Sequence, residues 1–376
     1  MRSIPWRTVT GGHRKSAVTS ARSTAAVTPA PAPAASAPQP GPHRNPHRAI
    51  TGLALAVLLA LVIFSCTGPL GLSLDQLIPA VDQQALTIWW QLRLPRLLLG
   101  LGVGMLLAGS GAAMQGLFRN PLADPTLLGM ASGAGLAVSL WIVLLEAEGS
   151  PFGLYGHCIA GFVGAFTVGL LVFAISQRGL MGAASSSALF TLLLAGLAIN
   201  TLAAAGGGVL AFIANDEQLR QLSLWGMGSL ANALWPAVIG LWLVAPVVII
   251  ILLRSARDLD LLQLGDITAH AAGLDSSRLR RRVVVATALG VGASVALAGI
   301  IGFIGLLIPH CLRLWLGPGH RLLIPASMLG GALLLIVSDG LARGLANPAE
   351  IPVGLLTSLI GGPYFLWLLI RERPSC

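Results

Sequence analysis

Arg93 and Arg96, three residues apart in "QLRLPRLLLG" (91–100), stand directly before a long run of Leu and Gly, and Arg343 stands near the end of another apolar run. A guanidinium is a rigid fork of donors that fits a carboxylate, so separated arginines can orient an acidic partner. The structural reading stands beside this one: arginines at helix ends snorkel to headgroups or cap a bundle. His310 in "GLLIPHCLRL" is of a metal-ligand type, but a lone His beside Pro309 at a helix bend reads first as a hydrogen-bonded structural residue. His157 and His270 have no partner ligands in sequence, and Cys66, Cys158, Cys311 and Cys376 form no CxxC pair, so neither a metal site nor a disulfide is expected. The only lysine, Lys15, lies outside any GxxxxGK[ST] loop, so nothing here is built to cradle nucleotide phosphates.

These residues must be carried by elements that live in lipid. Of 376 residues, 55% are hydrophobic and 10% charged, too apolar for a soluble domain, and several runs approach the roughly 20 apolar residues that cross a bilayer as helix. The alternation of a membrane β-barrel is missing, so the chain reads as an all-α polytopic membrane protein. Ten spans are expected, at about 49–67, 97–115, 126–145, 156–175, 188–213, 233–253, 283–299, 301–316, 322–341 and 352–370. Residues 1–48, with "TPAPAPAASAPQPGPHRNPHR", read as a disordered basic tail; the first apolar run begins too late for a cleaved signal peptide, and 49–372 form the membrane domain.

An even number of spans puts both termini on one side. If that side is the cytoplasm, only Arg93, Arg96, Arg220 and Arg343 of the 23 basic residues fall outside, while Asp75, Asp82, Glu146, Glu148, Asp216, Glu217 and Glu350 lie outward. The net charge of +9 then follows from membrane orientation and requires no nucleic-acid partner. Small residues such as Gly102, Gly104, Gly109, Gly111, Gly129, Gly133, Gly135, Gly290, Gly292 and Gly299 suit close helix approach to one another in lipid. "LGVGMLLAG" (101–109) and "LGVGASVALAG" (289–299) hint at an inverted repeat.

The mid-span regions are almost free of ionisable groups, Asp339 near a span end being the main exception, which argues against an ion-coupled carrier. The longest polar interruption, 254–282, contains "GDITAHAAGLD", with Asp266 as a helix N-cap, a short helix over 267–272 and Gly273 as its stop. Two readings are open for it: a knob for a partner's groove, or a helix lying on headgroups. "QGLFRNPLADP" (115–125) reads as a rigid elbow built on Asn120, Pro121, Asp124 and Pro125.

Four blocks in order resemble the membrane permeases of ABC importers for iron siderophores, haem and vitamin B12: "RLPRLLLGLGVGMLLAGSGAAMQGLFRNPLADPTLLGMASGAG" (93–135), "LLQLGDITAHAAGL" (261–274), "SVALAGIIGFIGLLIPHCLRL" (294–314) and "ANPAEIPVGLLTSLIGGPYFLWLL" (346–369). The resemblance implies a homodimer of ten-helix subunits in the inner membrane, with both termini cytoplasmic. Two cytoplasmic ATPase subunits would dock below, holding the ATP and Mg²⁺, and a periplasmic substrate-binding protein would dock above. This chain itself would bind no cofactor and carry no catalytic residue. On the resemblance, Arg93, Arg96 and Arg343 contact the binding protein, and Leu264, Gly265, Asp266, Ala269, Ala272, Gly273 and Leu274 receive the ATPase. Gln115, Arg119, Asn120, Pro121 and Pro125 resemble a gate or ATPase-facing loop, with a plain connection as the other reading. "NDEQLRQLSLWGMGSL" (215–230) resembles the haem permeases of the family, with ferric siderophore next and cobalamin third. From other classes, an ion-coupled carrier would need buried carboxylates or broken-helix ion sites, and a membrane enzyme a converging cluster of His, Asp or Glu that the sequence does not offer.

Overall fold

The computed structural model describes residues 46–66, 83–125, 129–145, 153–180, 185–345 and 350–371. Its helices are α1 Pro46–Cys66, α2 Gln83–Ile88, α3 Leu94–Phe118, α4 Met130–Leu140, α5 Gly153–Leu180, α6 Ser185–Ile213, α7 Asp216–Gly226, α8 Trp235–Gln263, α9 Asp266–Ala271, α10 Ser276–Ala298, α11 Ile304–Leu316, α12 His320–Leu345 and α13 Val353–Arg371. No strand occurs among the described residues. Each of the ten expected spans falls on a helix. Among the described residues, seven helices are long and apolar enough to cross a bilayer, and Met130–Leu145, Ile304–Leu316 and Val353–Leu368 are shorter apolar helices.

The departures have local causes. The proposed tail 1–48 lies outside the described residues up to 45, and α1 already begins at Pro46, whose fixed φ suits a first helical turn. The run expected to span 301–316 starts only at Ile304, because Gly299 (φ 70°) and Phe303 (φ 67°) turn the chain between α10 and α11. Pro95 sits in the first turn of α3, as expected of a helix-start residue, yet the helical path already begins at Gln83. A π-helical turn over Trp89–Arg93 joins the two parts, ending two residues before Pro95, which offers no N–H donor.

The central element is α3. Within the Gln83–Phe118 segment 83% of the most apolar window is buried, against 17% for Leu194–Ile213 on α6, so α3 is the hub and α6 a flank. Its sequence is hydrophobic on every side, as a helix enclosed by others requires. It meets α12 where Gly104 lies on the backbone of Gly331, and α11 where Gly111 lies on the carbonyl of Gly305; a Cβ at either position would enter the neighbouring backbone. Around this hub α1, α6 and α8 expose Leu58, Leu202 and Leu243, apolar surface suited to lipid or to a second copy.

Contacts at the helix ends define two opposite polar faces. The C-terminal end of α3 and the first turns of α10 both reach Asp266, through Arg119 at 2.7 Å and Arg280 at 3.9 Å, so α3 and α10 run in opposite directions. That is the arrangement the repeated glycine motif requires. The N-terminal end of α3 meets the C-terminal end of α12 through Arg96 and Asp339. At about 1.5 Å per residue, the 25 residues of α3 separate these faces by roughly 38 Å, the thickness of a bilayer with part of its headgroups.

Candidate functional site

On the first face the three arginines gather into one cluster with two carboxylates. Arg96 grips Asp339 along one edge, Nε lying 3.0 Å from both carboxylate oxygens and Nη2 2.9 Å from Oδ1, while Nη1 donates to Glu350 Oε2 at 2.9 Å. Arg343, one turn beyond Asp339 on α12, places Nε 3.3 Å from Asp339 Oδ2. Arg93 Nη1 donates to the Ser65 carbonyl at 2.8 Å, and Arg343 Nη2 to that of Phe64 at 3.4 Å, which caps the end of α1.

Burial corrects the sequence-based picture here. Arg93, Arg96 and Arg343 are 6%, 9% and 6% exposed, and Asp339 is 2% exposed. Guanidinium groups enclosed in an apolar bundle require counter-charge and hydrogen bonds, and Asp339 with Glu350 supplies them. The arginines therefore hold internal partners rather than standing open as forks. Sequence reasoning missed these carboxylate partners; the available signal was the i, i+4 spacing of Asp339 and Arg343 on one helix.

Beside this cluster lies a cavity of about 430 Å³ whose lining includes His157, Cys158, Gln221, Trp225, Asn232 and Glu350. One wall is α7, whose start is set by a reciprocal cap: Gln218 N–H donates to Asn215 Oδ1 and Asn215 N–H to Gln218 Oε1. Gln218 Nε2 also donates to the Ile142 carbonyl at 3.1 Å, tying α7 to the end of α4's helical path.

The opposite face carries the elbow and α9. Helix α3 ends on Arg119 in the left-handed region (φ 51°), and the Asn120 side chain accepts from Leu122 N–H at 2.9 Å, which shapes the turn. Gln115 is buried, donates to the carbonyls of Gly305 and Leu306 at 3.3 Å each, and accepts from Arg313 Nη2 at 2.9 Å. Pro121 is exposed and Pro125 buried. The elbow is thus bonded to α11 through Gln115 and to α9 through Arg119. Gln263 Nε2, donating to the Gly116 carbonyl at 2.7 Å, and Asp260, accepting from the His320 backbone N–H at 2.6 Å, bring α8, α3 and α12 into the same network.

Helix α9 spans Asp266–Ala271, with Gly265 (φ 105°) rather than Asp266 at the N-cap position, and Gly273 (φ 84°) just beyond its end. Released from capping, the Asp266 carboxylate pairs with Arg119. Of the expected ATPase-facing residues, Leu264, Ala272 and Gly273 are exposed and Gly265 half-buried, whereas Ala269 (1%) and Leu274 (9%) face the bundle. Ile267, which the sequence reading did not single out, is 88% exposed and forms the tip. Its signal was present in the sequence as the one large apolar side chain in a short helix of small residues.

His310 is buried on α11 beside an apolar recess lined by Phe303, Leu306 and Tyr364. Among the described residues no group of three His, Cys, Asp or Glu is placed to hold a metal ion.

Comparison with known proteins agrees with this geometry. The hemin transport system permease protein HmuU of Yersinia pestis is 47% identical over 329 residues, covering 87% of this chain and 96% of that protein. The vitamin B12 import system permease protein BtuC of Vibrio cholerae is 40% identical over 327 residues, covering 87% and 94%. A solved structure described as an inward-facing conformation of a metal-chelate type ABC transporter superposes with a TM-score of 0.76 at 33% identity, covering 86% of this chain and 99% of that one. The model of the FecCD transport family matches residues 52–371, and the chain belongs to that family of polytopic membrane permeases.

Proposed function

We propose that this chain is the permease subunit of an ABC importer for haem, working as a homodimer with two ATPase subunits and a substrate-binding protein. The observation that carries the substrate is the 47% identity to a hemin permease across almost the whole of both chains, against 40% for the vitamin B12 permease. Vitamin B12 is the second reading, favoured by those B12 permease relatives. The power source is external, since the sequence has no phosphate-binding loop. An ion-coupled carrier fits less well: the buried carboxylate Asp339 is ion-paired with Arg96 and Arg343 rather than left as an open ion site.

The face bearing α9 is cytoplasmic in this account, because Arg254, Arg257, Arg278, Arg280, Arg281 and Arg282 flank it. Leu264, Ile267 and Ala272 present an apolar knob to the ATPase, and the Arg119–Asp266 pair connects that knob to the elbow at the end of α3. The arginine cluster then lies on the periplasmic face and offers net positive charge to acidic residues of the binding protein. Stimulation of ATPase activity in the assembled transporter tests the substrate. A haem-loaded binding protein raises the rate in this account; stimulation only by a cobalamin-loaded or ferric-siderophore-loaded one would assign that substrate instead.

A further inference from the structure

We propose that Glu350 is an internal stand-in for the docking carboxylate: it occupies Arg96 in the undocked permease, and an acidic residue of the binding protein displaces it. The proposal rests on the docking reading above and adds a competitor and a route by which docking reaches the cavity.

The two edges of the Arg96 guanidinium are held differently. Nε and Nη2 face Asp339, whose side chain is 3% exposed and fixed on α12. Nη1 faces Glu350, whose side chain is 41% exposed and stands on a non-helical stretch before α13. An ion pair whose carboxylate is half-exposed is partly solvated and exchanges more readily than a buried bidentate pair. Only the Nη1 edge is therefore open to substitution, and the group holding it is already a carboxylate. Three guanidinium groups face two carboxylates in the cluster, leaving one net positive charge; with Glu350 swung away the local excess becomes two, which strengthens attraction for an incoming acid.

Glu350 is also mechanically connected. Four residues on, Gly354 N–H donates to the Gly228 carbonyl at 3.1 Å, and Gly354 packs on the carbonyls of Met227 and Ile300 so closely that a side chain has no room. Glu350 and Pro352 line the same cavity as Gln221 and Trp225 of α7. Moving Glu350 off Arg96 thus alters the wall of the cavity and pulls on the turn that follows α7.

The test measures binding of the haem-loaded binding protein to the assembled permease–ATPase complex in nanodiscs, at low and high salt, for wild type, Glu350→Gln and Arg96→Gln. Glu350→Gln keeps the side-chain shape and hydrogen bonding while removing the competing charge. It is expected to tighten docking about three- to tenfold, with a faster on-rate and a steeper salt dependence. Unchanged or weaker docking in Glu350→Gln, with Arg96→Gln still weakening it, overturns the competitor role and leaves the docking reading standing. Docking unaffected by Arg96→Gln removes the docking reading and this proposal with it. Transmission is read from thiol labelling of Asn232→Cys in a chain whose own four cysteines are Ser. The labelling rate changes on docking and is already shifted in Glu350→Gln; a rate indifferent to both overturns the route to the cavity.

Discussion

Asp339 is the group whose removal should be felt most, and the structure sets the size of the effect. Its carboxylate accepts from Arg96 Nε and Nη2 at 2.9–3.0 Å and lies 3.3 Å from Arg343 Nε, all within a cluster less than 10% exposed at these three residues. Asp339→Asn leaves two guanidinium groups enclosed with a neutral amide between them. Breaking a buried pair by removing one partner costs about 3–5 kcal/mol, because the surviving charge keeps its desolvation cost without its counter-charge. Arg343→Met is different, since Arg96 remains to neutralise Asp339, an apolar side chain replaces the buried charge and the lost contact is the longer one, so a much smaller loss is expected. In detergent or nanodiscs, thermal unfolding of Asp339→Asn should fall by about 5 °C or more and that of Arg343→Met by much less. The ranking is the decisive feature. A larger loss for Arg343→Met than for Asp339→Asn would refute the assignment of Asp339 as the shared counter-ion.

Other outcomes follow from the same geometry. Gly111→Val forces a branched side chain onto the Gly305 carbonyl, and the misfit between α3 and α11 should cost about 3 kcal/mol or more, visible as lost yield of folded protein in a fluorescence-detected size-exclusion assay. Ile267→Asp removes the exposed tip of α9 without touching the bundle, so it should weaken ATPase assembly about tenfold in pull-down titrations while leaving the permease's own melting unchanged. Asp275 caps α10; hydrogen bonds from Arg278 N–H and the Ser277 hydroxyl hold its carboxyl below the ordinary carboxylate range. A depressed folded pKa contributes stability that is present above the unfolded pKa and is lost as pH falls through the folded one. Amide exchange in the first turn of α10 should therefore slow relative to Asp275→Ala at neutral pH, and the two should converge in acid below the usual carboxylate pKa.

The membrane helices were legible because hydropathy over twenty residues is a strong signal, and the ten expected spans all fall on helices, whereas the polar α7 over Asp216–Gly226 lay outside them. The close glycine contacts of α3 were legible for the same reason: they are a property of residue type. Burial of charge was not. Arg96 reads as an exposed end-of-helix residue in sequence, since its partners Asp339 and Glu350 are more than 240 positions away and meet it only through the packing of α3 on α12. The face of α9 was likewise hidden: in a six-residue helix of small side chains, periodicity cannot separate the inward Ala269 from the outward Ile267, and a left-handed Gly265 moved the cap off Asp266.

The central claim is that this permease conducts haem only when a separate ATPase works on α9 and a binding protein delivers cargo at the opposite face. Proteoliposomes containing the permease alone or with the ATPase, charged with ATP and offered haem on its binding protein, measure this directly. Haem accumulation is predicted only with ATPase, hydrolysable ATP and binding protein together; accumulation by the permease alone under an ion gradient would contradict the account.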